Sequence, residues 1–258
     1  MPLKFDWIPT FQTHVTDMHT FLRTLILALS ALAIGPLGHG QNAKMTLKFL
    51  SFPMQTEKEP IELAISAKET LQIDTPSHRL SDPYVIAAVP QIIVGKTVVG
   101  PDGKSKFNIY GMAKSLPAKE QIVLLFRKGQ KMSDGVTVLP VRAQDEDFPG
   151  GSMFFINASG TPCRGHVGDK KFLLRPGERK VITPKADFNG DTCQVSLSYF
   201  REQAEESKRW KLFRDTRWSV DKDLRTLAFF YQHPQTGKVS IAPVMEMLGA
   251  DPPPAPPE

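Results

Sequence analysis

Apolar residues in this chain recur at every second position over short stretches, each stopped by Gly, Pro, Asp or Asn, and no long 3.6-residue period intervenes. That pattern commits the chain to strands, because period-2 alternation places every apolar side chain on one face of a sheet. MTLKFLSF (45–52) and IELAISA (61–67) alternate, TLQID (70–74) follows, and YVIAAV (84–89) and QIIVG (91–95) are continuous apolar runs of the kind buried from both sides. KFNIYGMA (106–113), IVLLF (122–126) and VTVLPV (136–141) complete a first set of about seven strands.

The second half repeats this style without a sequence repeat that can be aligned by eye. MFFINAS (153–159), CRGHVG (163–168), KFLL (171–174), KVIT (180–183), CQVSLSYF (193–200), KLFRDTRWSV (211–220), LRTLAFFYQ (224–232) and KVSIAPV (238–244) are its strands. Arg175-Pro176-Gly177-Glu178 fits a type II turn, with fixed φ at Pro176 and φ > 0 at Gly177, and predicts a hairpin between 171–174 and 180–183. In CQVSLSYF the residues Cys193, Val195, Leu197 and Tyr199 share a face. EQAEESKR (202–209) is a helix candidate or a polar connection. The expected fold is all-β: two immunoglobulin-like antiparallel β-sandwich lobes, or one extended sandwich, following an N-terminal signal helix.

The stretch from Phe21 to Ala43 reads as an export signal. Arg23 precedes an apolar run from Leu25 to Ile34, Gly35-Pro36 breaks it, and Gly38 and Gly40 offer a cleavage site before Gln41. The run is ten residues long, whereas a spanning helix takes roughly 20. An uncleaved anchor is the competing reading and would be the chain's only membrane contact. Met18 is an alternative start, since Met1 to Asp17 forms an unusual leader. The expected organisation is a signal with leader at 1–40, lobes at 41–145 and 146–244, and a proline-rich tail at 245–258 ending in DPPPAPPE. The boundary falls in AQDEDFPGG (143–151), which combines charge, Pro and Gly.

Lys4 and Arg23 balance Asp6 and Asp17 in the leader, so the exported part keeps the whole chain's net charge of +5. An excess of that size attracts anionic polymers weakly and is no nucleic-acid footprint. In a secreted or periplasmic compartment the two cysteines, Cys163 and Cys193, read as one disulfide, with two buried thiols as the alternative. That bridge would contribute roughly 3–4 kcal/mol.

Chemistry-bearing motifs are sparse. His78, His166 and His233 lack zinc-site spacing, no serine sits in a G-x-S-x-G elbow, and no cofactor motif is present. Gly150-Gly151-Ser152 reads as a bend at a strand entry. Asp145, Glu146 and Asp147 are dense enough to suggest calcium or paired carboxylates, or simply a solvated linker. Asn157-Ala158-Ser159 matches a glycosylation sequon. The best interaction candidate is KRWKLFRDTRW (208–218), where Trp210, Arg214, Arg217 and Trp218 could form an aromatic and cationic platform, or cover a sandwich edge.

Residues 148–184, from FPGGSMFFINAS through KFLLRPGERKVITP, resemble an exported bacterial family of uncharacterised proteins, as do TRWSV and LRTLAFFY further on. The resemblance spans about 46–244 and implies β-sandwich architecture without an activity. A looser similarity is to periplasmic pilus chaperones. The expected function is therefore non-enzymatic: binding, or envelope structure, with an envelope protein or an anionic polysaccharide as partner. The alternatives are a carbohydrate-active enzyme or glycan-binding module using Asp145, Glu146 or Asp147 with Trp210 or Trp218, and a chaperone-like subunit-binding module.

Overall fold

The computed structural model describes residues 43–52, 60–129, 131–186, 191–233 and 236–249, all within one compact body spanning 42–258. The segment 1–40, expected to be an export signal, and the tail DPPPAPPE lie outside the described residues. Sixteen strands are described: β1 (Lys44–Phe52), β2 (Ile61–Ala64), β3 (Thr70–Ile73), β4 (Tyr84–Ala87), β5 (Gln91–Val99), β6 (Ser105–Lys114), β7 (Glu120–Arg127), β8 (Val136–Arg142), β9 (Met153–Asn157), β10 (Cys163–Val167), β11 (Lys170–Leu174), β12 (Arg179–Ile182), β13 (Thr192–Phe200), β14 (Trp210–Ser219), β15 (Leu224–Gln232) and β16 (Val239–Met247). The first set holds eight strands rather than seven, and β16 runs three residues past the expected end of the second lobe. The helix candidate is reduced to one 3₁₀ turn at Glu206–Lys208.

The strands form four four-stranded sheets. In the first half an inner sheet, β4-β1-β7-β8, faces an outer sheet, β3-β2-β5-β6. In the second half the inner sheet is β12-β9-β15-β16 and the outer sheet β11-β10-β13-β14. Adding eight to each strand number converts one half into the other, so the chain is a topological duplication. β1 with β7 and β9 with β15 are parallel pairs, an exception to the antiparallel expectation. Placing the first strand inside its sheet also departs from the A-B-E-D and C-F-G order of immunoglobulin constant domains. Both halves carry a bulge at the same place, after Val94 in one and Leu197 in the other. One edge strand of each inner sheet, β8 and β16, carries proline opposite a matching position, Pro140 against Val123 and Pro243 against Ala228. The repeat is thus present in sequence as VTVLPV and VSIAPV, too short to announce itself without the pairing.

Three apolar layers hold the four sheets. Met45, Leu47, Phe49, Val123 and Leu125 meet Ile61, Leu63, Ile92 and Val94 in the first half. Met153, Phe155, Ala228 and Phe230 meet Cys163, Val195 and Leu197 in the second. The third layer lies between the inner sheets, where Leu50, Phe52, Ile122 and Leu124 pack on Phe154, Ile156, Leu227 and Phe229. Phe52 stacks on Phe229 with centroids 5.2 Å apart, a contact made directly across the two halves. Burying each such side chain contributes about 1.5–3 kcal/mol. Strands buried on both faces are therefore β7, β9 and β15, which have a layer on each side. The run 84–89 is not one of them, because β4 is an edge strand with Val85 62% exposed.

The turn at 175–178 forms as predicted, with Gly177 at φ 81° and Glu178 N–H donating to the Arg175 carbonyl. The hairpin does not. β11 pairs with β10 and β12 with β9, so the turn carries the chain from the outer to the inner sheet. A type II turn splays its flanking strands, whereas the twist of a tight hairpin favours types I′ and II′.

Between the inner sheets lies one buried ionic cluster. The Arg225 side chain is 2% exposed, and its Nε donates to Glu246 Oε2 at 2.5 Å. Its Nη1 donates to the carbonyls of Ala143 and Phe148, at 2.6 and 3.0 Å, and its Cζ lies 5.0 Å from the centre of the Phe148 ring. Lys48 of β1 reaches across the halves to Glu246 Oε1 at 2.6 Å. The connection 143–151 is thereby clamped at Ala143 and Phe148, which are buried, while Asp145 to Asp147 stay exposed. Glycine is required at 150, where a Cβ would sit 1.7 Å from the Lys222 carbonyl oxygen.

Burial raises the Glu246 carboxyl, but Arg225 and Lys48 outweigh it through hydrogen bonds and charge, leaving its pKa below the ordinary 4.5. A depressed carboxylate stabilises the fold above its unfolded pKa and loses that contribution as pH falls through the folded one. Stability is therefore expected to hold above pH 4.5 and to fall on acidification below it. Glu246→Gln should lower the free energy of urea unfolding by about 3–5 kcal/mol at neutral pH and remove most of this acid limb.

Candidate recognition face

Alternation along β14 sends its two tryptophans to opposite sides of the outer sheet. Trp218 pairs with Cys193, faces the core and stacks on Phe155 at 6.0 Å with 8° between the rings. Trp210 pairs with Phe200 and faces outward. The bulge in this ladder lets Phe213 turn into the core while Arg214, opposite Leu197, stays exposed. Arg217 is outward and donates from Nε and Nη2 to the Thr192 hydroxyl. Of the four predicted surface residues, Trp210 and Arg217 share the outer face, Arg214 sits at the bulge, and Trp218 is a core residue.

What completes this face comes from β10, β11 and β13. One cross-strand row runs Leu173, Arg164, Ser198, Leu212, with Leu173 54% and Leu212 53% exposed. The Arg164 guanidinium lies 4.3 Å from the centre of the Trp210 ring, whose edge meets Phe200. Ser198 lies between β10 and β14 in this row, and its small side chain leaves space for Arg164 to cross β13. The next rows hold Lys171, His166, Ser196 and Asp215, then Gln194 and Arg217. Asp215 accepts from the Ser196 hydroxyl and the Gln194 amide, each at 2.6 Å, and these bonds hold its carboxyl below the usual range. Sequence reasoning missed Arg164, Lys171 and Leu173 because only the β10–β13 and β10–β11 registers bring them beside Trp210.

The register of the two bulges identifies the equivalent face on the first half. Gly95 corresponds to Ser198, Ile109 to Leu212, Phe107 to Trp210, Thr97 to Phe200 and Glu62 to Arg164. There the smaller residues leave a groove of about 700 Å³ over Ile93, Thr97, Phe107 and Ile109. Glu62 lies beside it, accepting from the Thr97 hydroxyl at 2.6 Å. That bond is the chief reason its pKa is lowered, against a smaller opposing effect of burial.

The disulfide expectation is corrected. Cys163 pairs with Tyr199 of β13, and Cys193 lies six residues before Tyr199 on that strand. The two are therefore about 20 Å apart along the ladder, whereas a bridge needs Cα atoms within about 7 Å. Both are buried and unbonded to each other. Burial pushes the Cys163 thiol up to about 11, slightly offset by a hydrogen bond with Ser159. The sequon has a structural role too: Asn157 is fully buried, donates to the carbonyls of Thr161 and Leu174, and accepts from Ser159. Among the described residues, no three His, Cys, Asp or Glu side chains group as a metal site. Asp147 pairs with Arg142 at 3.6 Å, and Gly150 and Gly151 make the expected bend.

Two outcomes are expected. Trp218→Ala should cost about 2–3 kcal/mol in urea unfolding, at or below the lower end for an aromatic truncation because the ring is half-buried, whereas Trp210→Ala should cost less than about 1 kcal/mol. A disulfide-exchange reagent should titrate no thiol in the folded protein near neutral pH and both thiols in denaturant without reductant. No protein-family model matches the chain, and no curated protein sequence matches it.

Proposed function

We propose that the chain is an exported, non-enzymatic protein of the secreted or periplasmic space that works by binding or as an envelope component. Its two β-sandwich lobes, about residues 41–145 and 146–244, are fused through their inner sheets, with the segment 1–40 as export signal. The observation that carries this reading is the outward face around Arg164 and Trp210. It is an outward surface on paired strands, combining a cation–aromatic pair with exposed Leu173 and Leu212. Cation–π stacking of this kind contributes about 0.5–1 kcal/mol at an exposed site, so it serves to orient Arg164 more than to stabilise the fold.

The enzyme reading has less support. Asp145, Glu146 and Asp147 lie on the connection clamped to β15 of the inner sheet, whereas Trp210 faces outward from the outer sheet. One layer spacing alone separates them by about 10 Å. Strand addition of the chaperone kind is disfavoured at β8 and β16, since Pro140 and Pro243 remove a donor from each edge.

The test is incubation of the exported chain with a panel of soluble polysaccharides, following retention by affinity electrophoresis and new reducing ends in the same samples. Retention without new reducing ends is expected, weakened by Trp210→Ala. Reducing ends that accumulate in proportion to protein would make it a glycosidase.

A further inference from the structure

We propose that the outer face of the second half is a binding site for a polyanionic polysaccharide, one bearing carboxylate or sulfate groups. The proposal rests on the binding reading above and names the partner of that face.

The duplication supplies an internal control that few folds offer. Both halves present the same strands, bulge and register, so features imposed by the architecture should recur on both outer faces. On one side of β13 the basic residues do not recur. Arg164, His166 and Lys171 occupy the positions of Glu62, Ala64 and Thr70 in the first half, while Arg217 matches Lys114. Arg164 and Lys171 therefore belong to this surface and not to the fold, whereas a cation at the position of Arg217 is common to both halves. Asp215, kept ionised by hydrogen bonds from Ser196 and Gln194, is outnumbered by Arg164, Lys171 and Arg217, so this group of residues remains positive overall.

The arrangement suits a hydroxyl-rich chain laid along β13. Thr192, Gln194, Ser196 and Ser198 point outward in succession and make a polar track, with Thr192 bonded to Arg217 and with Gln194 and Ser196 bonded to Asp215. Cations flank that track on both sides, Arg164 and Lys171 on β10 and β11, Arg217 on β14. With strands about 4.8 Å apart, Arg217 lies roughly 10–15 Å from Arg164 and Lys171 measured across the strands. At one end Phe200 and Trp210 supply rings for the apolar faces of sugars. The Arg164 guanidinium carbon lies over the Trp210 ring, which holds the cation at that end of the track, and a guanidinium suits a carboxylate or sulfate. A lipid surface fits less well. Leu173 and Leu212 are separated by Arg164 and Ser198 and form no continuous apolar patch.

The experiment uses the full exported chain with polygalacturonate, dextran sulfate, unmodified dextran, and phosphatidylcholine–phosphatidylglycerol vesicles. Binding to polygalacturonate or dextran sulfate is expected, weakening with salt as exposed charges are screened. The double variant R164E/K171E should raise the Kd at least about tenfold, a loss of 1.4 kcal/mol or more. Lys114→Glu, on the equivalent face of the first half, should change it less than about twofold. Matched thermal midpoints for the three proteins exclude a folding defect. Equal binding to unmodified dextran would overturn the polyanion and leave the binding reading standing. Preference for the vesicles would assign the face to a membrane surface. Polyanion binding that survives R164E/K171E, or no binding to any probe, would remove the site.

Discussion

Arg225 is the side chain on which the arrangement of the two halves depends. Buried and cationic, it would be costly to leave unpaired. The structure surrounds it with Glu246 from the neighbouring strand, two carbonyls of the connecting segment and the ring of Phe148. Lys48 from the first half reaches the same carboxylate. Because each of these groups has a fixed direction, the cluster sets how the inner sheets align, which the surrounding leucines and phenylalanines alone would leave loose. Hydrophobic area supplies most of the attraction between the halves, and the ion cluster supplies its registry.

That back-to-back fusion explains several local features together. The inner strands β7, β9 and β15 are apolar on both faces because each has a sheet on either side. One edge of each inner sheet carries proline at a matched position, which discourages further strand pairing there. The outer faces point away from each other and are the surfaces left to vary, one hollowed beside Glu62 and the other built up around Arg164 and Trp210. Duplicated architecture with divergent outer faces is how a chain can keep one packing solution while changing what it touches.

Strand positions were legible to within a few residues, since alternation is a local property and each strand carries its own record of it. The type II turn at 175–178 was legible for the same reason. Its consequence was not: which strands it joins depends on pairing partners on β10 and β9. The cysteines make the point in another way. The expectation of export and their even count argued for a bridge, yet a shared ladder places them about 20 Å apart. Half of the candidate surface was found through Trp210 and Arg217, and half missed, because Arg164, Lys171 and Leu173 lie some forty residues away in sequence.

The amino-acid sequence by itself determined an all-β chain, its strand boundaries and its turns, because side-chain period and backbone dihedrals act over a few residues. Tertiary structure alone decided the duplication, the parallel pairs, the burial of Arg225, the parting of Trp210 from Trp218 and the gathering of cations over β13. Each of those depends on register between distant strands, and a shift of one residue would turn every side chain to the other face.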